Sequence, residues 1–260
     1  NFGIEPSIWF ENASTSIDFA SDASAAVNYL VSRTDIPIRN IGIAGHSEGG
    51  LIAPITASEN NEVDFIVLMA GPGIPGDSIL LLQGDLIAKA SGMSEESVKA
   101  LHELRKNIMQ VAKDEIDNDV MRNNMITLNK NFIANTPKHI LDELEMTEDD
   151  VEEGLDIYTG EWMQFFLAYN PRPTLEHTTI PVLAINGTTD LQVPYKENLE
   201  AIEKALIKAG NKNYQITALN NLNHLFQYSV TGSPMEYGTI EETFNEKAMN
   251  IISNWISAQK

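Results

Sequence analysis

The chain contains no cysteine among its 260 residues. This absence excludes disulfide bonds, thiol nucleophiles and thiolate metal sites. A cysteine-free chain fits the cytosol and an exported compartment equally, so cysteine usage leaves the localisation unknown. Residue 1 is Asn rather than Met and no signal sequence is visible, so we expect any targeting signal to lie upstream.

Basic residues are also few, with 17 Lys and Arg against 37 Asp and Glu and a formal charge of −20. A chain this acidic repels phosphate backbones and anionic lipid, so we expect neither a nucleic-acid nor a membrane partner. No apolar run reaches the roughly eighteen residues of a membrane-spanning helix. Hydrophobic residues make up 43% of the chain, which is enough for a sizeable core.

The pattern along the chain predicts an α/β core interrupted by a helical insertion. Residues 1–75 and 176–260 alternate helix and strand patterns, which indicates a mainly parallel sheet. Residues 76–175 contain successive helical patterns without a convincing strand, so we interpret them as the insertion. An acidic run at 148–153 within it is more typical of a solvated surface than of a cation site.

Apolar runs and periodicity place the individual elements. Strands are predicted at 38–44, 63–70, 181–186 and 214–219. Helices are predicted at 77–91, 94–113, 118–135, 160–169 and 199–208, with others starting near 48 and 245. A first helix, capped by Thr15 or Ser16, should bury an apolar face at 3.6-residue spacing; this face comprises Phe19, Ala23, Ala26, Val27, Leu30 and Val31.

The segment 45–49 reads Gly-His-Ser-Glu-Gly and matches the G-x-S-x-G pattern. A predicted strand precedes it and a helix follows, which is the context of a nucleophile elbow. The small glycines permit a tight turn that exposes the Ser47 hydroxyl, and the helix N-terminus favours developing negative charge. The alternative is a glycine-rich strand–helix connection without chemistry.

A serine hydroxyl needs a base to take its proton, and the chain has five histidines. His102 and His139 fall in the insertion, His177 precedes a strand, and His46 lies within the elbow itself. His224 follows the last predicted strand, so it emerges at the same carboxyl edge of a parallel sheet as the elbow. Position therefore favours His224 as the base.

The imidazole in turn needs a carboxylate that fixes its tautomer and stabilises its charged form. Asp190 lies directly after the predicted strand 181–186, again at the carboxyl edge. The chain order Ser47, Asp190, His224 is the order of an α/β-hydrolase triad. Each of the last two residues, taken alone, is equally typical of an ordinary turn.

Several segments resemble a bacterial carboxylesterase family of the α/β-hydrolase fold, close to the serine aminopeptidase-like hydrolases. The segments are GHSEGGLIAP at 45–54, MAGPGIPGD at 69–77, PVLAINGTTDLQVP at 181–194, LNHLFQ at 222–227 and TGSPMEYGTIEETF at 231–244. The similarity extends from about Ile17 to Ile256. It implies ester hydrolysis with Ser47 as nucleophile, Asp190 as acid and His224 as base.

The resemblance also implies that residues 76–175 form a helical cap over an acyl pocket. Trp162, Phe165 and Phe166 are candidates to line that pocket, and packing of the insertion is an equally good role for them. Substrates of the family are short to medium acyl esters, and its members use neither a metal nor an organic cofactor.

The elbow comes earlier in this chain than in the proteins it resembles. We therefore expect the N-terminal part of the sheet to be missing, together with one oxyanion-hole amide. The backbone N–H of Glu48 supplies the remaining donor, and losing one donor typically costs about 10²–10³ in rate. The strand at 38–44 would then be an exposed edge, which offers a route to a homodimer.

Four alternatives to a carboxylesterase remain open at this point. An aminopeptidase or a thioesterase would use the same three residues. A truncated fragment would be catalytically impaired, and would be a silent form of the fold or an interaction module. A metal-dependent hydrolase built on the acidic insertion is the least favoured, because the chain lacks paired histidines at ligand spacing.

Overall fold

A computed structural model describes residues 14–259 of the chain. These residues form two compact units. The core unit comprises residues 16–75 and 170–259, and the helical unit comprises Gly76–Tyr169. The helical unit ends at Tyr169 rather than at residue 175, because the short helix Arg172–Leu175 packs in the core unit through the fully buried Leu175.

Strands and helices alternate in the core unit and helices follow one another in the helical unit. The strands are β1 (Gly42–His46), β2 (Phe65–Met69), β3 (Val182–Gly187) and β4 (Tyr214–Leu219). The α-helices are α1 (Ser16–Ser32), α2 (Gly49–Glu59), α3 (Gly76–Ala90), α4 (Glu95–Asp114), α5 (Asn118–Asn135), α6 (Lys138–Glu143), α7 (Glu161–Ala168), α8 (Arg172–Leu175), α9 (Tyr195–Lys208) and α10 (Glu246–Ala258). Short 3-10 helices span Glu148–Asp150, Leu155–Thr159 and Pro234–Thr239.

The four described strands form one parallel sheet in the order β1-β2-β3-β4. All six residues of β3 are buried, as expected for a parallel strand covered on both faces. One sheet face, with Leu68 and Ala184, packs on Ile202 of α9. The other face, with Leu183, packs on Ala248 of α10. The predicted α/β class and mainly parallel sheet are confirmed.

The first helix forms where it is predicted, and Val27 of its predicted apolar face is buried, but other members of that face are exposed. Phe19 and Val31 are 37% and 47% exposed, whereas Ser16, Ala20 and Val27 are buried. The buried side of α1 combines Val27 with small and polar residues, and α2 hydrogen-bonds to it; Thr56 Oγ1 donates to the Ala20 carbonyl oxygen at 3.3 Å. Most of the large apolar residues of α1 therefore lie outside the face that it buries.

The first strand begins at Gly42 rather than at residue 38. Its pairing starts at Gly42 and Phe65, so residues 38–41 have no partner in β2. Immediately before that pair, the Ile41 N–H donates to Asp64 Oδ2 at 2.7 Å. β1 is an edge of the described sheet, with Gly42 and Ala44 exposed. Pairing of two copies through this edge stays a prediction.

The helical unit has its own apolar core. Met121 and Met125 of α5 are fully buried there against Leu104 and Ile108 of α4 and Leu167 of α7. Ser94 caps α4, its side chain accepting from the Ser97 N–H, as the Ser-Glu-Glu sequence predicts. In the described part of the chain, no helix is both long and apolar enough to span a bilayer.

Candidate active site

Ser47 occupies a strained turn between β1 and α2. Its φ of 56° lies in the left-handed region, which costs a non-glycine residue about 1–3 kcal/mol and is typical of functional turns. A Cβ on Gly45 would lie 1.9 Å from the Gly49 carbonyl oxygen, and one on Gly50 would lie 2.5 Å from the Gly71 Cα. Gly45 of the motif and Gly50 directly after it are therefore required by the close approach of backbone, whereas the position of a Cβ on Gly49 is open. A tight backbone approach of this kind is what a nucleophile elbow needs.

Hydrogen bonds hold this turn against its neighbours. The Ser47 N–H donates to the Met69 carbonyl oxygen at 2.9 Å, and the Gly50 N–H donates to the Ser47 carbonyl oxygen at 2.8 Å. The buried Ser16 donates from Oγ to Glu48 Oε1 at 2.7 Å. Glu48 stands at the N-terminus of α2, so its amide lies at the positive end of the helix.

Asp190 is buried in the loop after β3, and its carboxylate accepts hydrogen bonds from two backbone N–H groups and from the His224 ring. Its Oδ1 accepts from the backbone N–H groups of Gln192 at 2.8 Å and Val193 at 2.9 Å. Its Oδ2 lies 2.9 Å from Nδ1 of His224. These bonds orient the carboxylate toward the imidazole.

His224 lies in the loop after β4 and is 5% exposed. An ionised carboxylate only accepts, so Nδ1 of His224 donates to Asp190 and the neutral ring keeps its lone pair on Nε2. The buried Asn223 shapes the loop, since its Oδ1 accepts from the N–H groups of Leu225 at 3.0 Å and Gln227 at 2.9 Å. A base with this tautomer can take a proton at Nε2.

The loops that carry Asp190 and His224 are joined to each other. The Thr188 N–H donates to the Leu219 carbonyl oxygen at 2.9 Å, and the Asn221 N–H donates to Thr188 Oγ1 at 2.9 Å. The Thr189 N–H donates to the Leu222 carbonyl oxygen at 3.1 Å. The separation of the carboxylate and the imidazole is therefore set mainly by backbone contacts.

The elbow meets the same region through His46. The rings of His46 and His224 lie 4.7 Å apart, and His46 Nε2 lies 2.8 Å from the His224 carbonyl oxygen. Among the hydrogen bonds of residues 14–259, none joins the Ser47 hydroxyl to His224. The structure thus brings Asp190 and His224 into contact beside the elbow. The hydrogen bond and proton transfer from the Ser47 hydroxyl to His224 stay a prediction.

The other three histidines bond elsewhere. His102 Nδ1 lies 2.8 Å from Asp85 Oδ2, and His139 Nε2 lies 3.2 Å from Glu96 Oε2, both within the helical unit. His177 Nδ1 lies 2.7 Å from the carbonyl oxygen of Pro173 in α8. Over residues 14–259 there is no group of three His, Asp or Glu side chains able to hold a metal ion.

The three aromatic residues proposed for an acyl pocket pack within the helical unit. The rings of Trp162 and Phe166 stack at 5.5 Å, and the rings of Phe165 and Tyr169 stack at 5.2 Å. Phe166 is buried, while Trp162 and Phe165 are half-buried. Lining of a pocket by these side chains stays a prediction.

Sequence reasoning missed two contributors to this geometry. His46 has no role in the prediction from sequence, although its side chain contacts the His224 backbone. Its position next to the motif serine is the sequence feature that could have indicated this contact. Gly187 ends β3, and a Cβ there would lie 2.0 Å from the Leu222 carbonyl oxygen. Sequence alone offers no signal for that contact, because it depends on how two distant loops meet.

Comparison with known proteins gives a match over part of the chain. Residues 23–137 match the family described as BAAT / Acyl-CoA thioester hydrolase C terminal. This stretch includes the elbow and runs into the helical unit. No protein of curated function matches the sequence.

Solved structures show the fold. Proline iminopeptidase from Mycobacterium smegmatis aligns with a TM-score of 0.50 at 13% identity, over 94% of this chain and 72% of that one. A thermophilic esterase from Thermogutta terrifontis aligns with a TM-score of 0.44 at 17% identity, over 95% and 74%. A meta-cleavage product hydrolase from Pseudomonas fluorescens aligns with a TM-score of 0.48 at 13% identity, over 100% and 77%.

The parallel sheet, the elbow geometry and the structural likeness together show that the chain has the α/β-hydrolase fold. The predicted resemblance to this class is confirmed. The family match supports a hydrolase of the α/β-hydrolase type.

Proposed function

We propose that the chain is a serine hydrolase that cleaves carboxylic esters with short to medium acyl groups. The observation that carries this proposal is the 2.9 Å contact between Asp190 Oδ2 and His224 Nδ1, beside an elbow whose serine has a φ of 56°. A buried carboxylate–imidazole pair next to a strained serine is the arrangement that activates a hydroxyl nucleophile.

In the proposed reaction, Ser47 Oγ attacks the ester carbonyl carbon while Nε2 of His224 takes the hydroxyl proton. The backbone N–H of Glu48 stabilises the oxyanion, aided by the N-terminus of α2. His224 then gives its proton to the leaving alcohol, and an acyl-serine remains. Water attacks this ester with His224 again as base, which releases the acid and restores Ser47. The reaction needs no cofactor or metal.

The helical unit is proposed to cap the acyl site, as the resemblance implies. Trp162, Phe165 and Phe166 are the side chains proposed to line that site and select the acyl group. Replacement of the half-buried Phe165 by Ala should change the preference between short and medium acyl chains. The buried Phe166 is less informative, because its loss also disturbs the core of the unit.

Acyl-CoA thioesters are the second candidate substrate class, and the family match at residues 23–137 favours them. The same three residues would act, with a thiol instead of an alcohol leaving. The net charge of −20 argues against this candidate, because the phosphates of CoA are repelled by an acidic protein. A neutral ester is therefore the first choice.

A substrate panel on the full chain separates these candidates. The panel holds p-nitrophenyl butyrate and octanoate, butyryl-CoA and octanoyl-CoA, and an aminoacyl p-nitroanilide. The proposal expects the highest kcat/KM on an ester, with turnover abolished by Ser47→Ala. Preference for the CoA thioesters selects the second candidate, preference for the anilide selects an aminopeptidase, and no turnover on any substrate overturns the proposal.

A further inference from the structure

His46, the residue before the elbow serine, connects the elbow to the base loop. Its Nε2 lies 2.8 Å from the backbone carbonyl oxygen of His224. A carbonyl oxygen only accepts, so Nε2 of His46 carries a hydrogen and donates it. Within residues 14–259, no backbone N–H donates to this carbonyl. The His46 side chain therefore holds a backbone group of the base residue.

The His46 ring is itself held in place. It lies 4.7 Å from the His224 ring at an interplanar angle of 47°, and it meets the edge of Phe226 at 6.1 Å. Phe226 is fully buried and stacks on Phe244 at 5.3 Å. A donor packed between two rings keeps one orientation, which gives the hydrogen bond a fixed direction.

Burial lowers the pKa of His46, so the ring is neutral near pH 7. A neutral ring suits a neighbour of the base. When His224 takes the serine proton it becomes positively charged, and a charged His46 at this distance would oppose that step. The neutral Nε2–H tautomer supplies a hydrogen bond without this repulsion.

We propose that His46 is a positioning residue of the hydrolase, which fixes the backbone of His224 relative to the Ser47 turn. The inference rests on the proposed function. Asp190 holds the ring of His224 at Nδ1, and His46 holds its backbone at the carbonyl oxygen. These two contacts, one at the ring and one at the carbonyl oxygen, together fix the position of Nε2 of His224. Nε2 is the atom that must reach the serine hydroxyl.

The test compares two variants that differ in the donor. His46→Phe keeps an aromatic ring and removes the donor, whereas His46→Gln places an amide N–H at nearly the same reach. Displacement of a catalytic base by up to 1 Å lowers the rate about 10–100-fold. We therefore expect His46→Phe to lower kcat by that factor. KM should stay within about threefold, because no substrate contact is removed. His46→Gln should restore most of kcat.

His177→Phe is the matched control, since His177 also contacts a backbone carbonyl oxygen, that of Pro173 at 2.7 Å, and lies in the same unit. It should retain the kcat of the unmodified chain. If His46→Phe keeps full kcat, or if His46→Gln is no better than His46→Phe while both remain folded, the positioning role is overturned and the proposed function stands. If the unmodified chain neither turns over an ester nor reacts at Ser47, the proposed function fails and the inference falls with it.

A second measurement covers the case in which His46→Phe does not fold. Nitrogen-15 NMR of the histidine-labelled chain near pH 7.5 reads the tautomer of each ring directly. The inference expects the His46 proton on Nε2, which is the form able to donate to the His224 carbonyl. A proton on Nδ1 of His46 overturns it, whatever the kinetics of the variants.

Discussion

The Cα of Gly187 lies so close to the Leu222 carbonyl oxygen that a Cβ at this position would stand 2.0 Å from it. The contact joins the last residue of β3, which leads to Asp190, with the loop that leads to His224. The same Cβ would lie 2.9 Å from the Asn223 carbonyl oxygen. The atoms nearest to this position are all backbone atoms of residues 222 and 223, so no flexible side chain can move aside. The spacing of the Asp190 carboxylate and the His224 imidazole therefore depends on residue 187 having no side chain.

Gly187→Ala is therefore expected to move the His224 loop. Inserting a methyl group against packed backbone typically costs 1–3 kcal/mol, so the unfolding free energy should fall by about that amount or more. The rate of ester hydrolysis should fall by more than the loss of stability explains, because the His224 imidazole moves away from the Asp190 carboxylate. Urea unfolding and ester turnover measure the two effects.

Gly238→Ala serves as the control for that substitution. Gly238 is exposed, and nothing lies within 4 Å of the position that its Cβ would take. The unfolding free energy of the Gly238→Ala variant should stay within about 0.5 kcal/mol of that of the unmodified chain. Equal stability for the two alanine variants would show that residue 187 tolerates a side chain.

The strained backbone of Ser47 predicts a difference between two inactive variants. Ser47→Ala keeps a Cβ at a φ of 56°, whereas Ser47→Gly relieves the strain. Both should lack turnover. Ser47→Gly should be more stable than Ser47→Ala by about 1 kcal/mol in chemical denaturation, within the usual cost of such a conformation. An alanine variant at least as stable as the glycine variant would argue against strain at the elbow.

The half-buried His46 predicts part of the acid sensitivity of the fold. Burial lowers its pKa below the usual value of about 6.5 for histidine, so the unfolded chain binds the proton more readily than the folded chain. The stability that this residue contributes is present above about pH 6.5 and is lost as the pH falls below it. His46→Gln removes the titrating group, so this variant should lose less stability than the unmodified chain between about pH 7.5 and pH 5. Parallel pH–stability curves for the two proteins would contradict a neutral, half-buried His46.

Asp190→Asn should separate orientation from folding. The amide oxygen can still accept from the Gln192 and Val193 N–H groups, while the amide nitrogen faces His224 Nδ1 and favours the wrong tautomer. By analogy with other triads, kcat should fall by about 10⁴ with the thermal transition little changed. Asp64→Asn is the control, since Asp64 also accepts a backbone N–H, from Ile41, away from the site. Comparable kcat for the two asparagine variants would remove Asp190 from the mechanism.

Sequence patterns were sufficient for elements with strong local signals. The strand at 214–219 and the helix at 118–135 form at the predicted residues, and the helix predicted from Ser94 has that residue as its cap. Apolar runs and capping residues act over a few positions, so they can be interpreted from the chain alone.

Features set by tertiary contact could not be predicted in the same way. The buried face of α1 includes Ser16 and Ala20 beside Val27, and these two residues bond to the Glu48 carboxylate and the Thr56 hydroxyl, partners that periodicity does not reveal. β1 starts at Gly42 because β2 offers its first partner at Phe65. In the site, post-strand position predicted the pairing of Asp190 with His224, which the structure brings into contact, whereas the contact between His46 and the His224 carbonyl depends on how two loops meet.

Covalent labelling of the full chain with a fluorophosphonate, followed by peptide mass spectrometry, tests the central claim most directly. The account predicts one adduct, on Ser47, that forms rapidly in the unmodified chain and at a greatly reduced rate in His224→Ala. No adduct on Ser47, or an adduct that forms equally fast without the imidazole, would contradict a serine activated by His224 and Asp190.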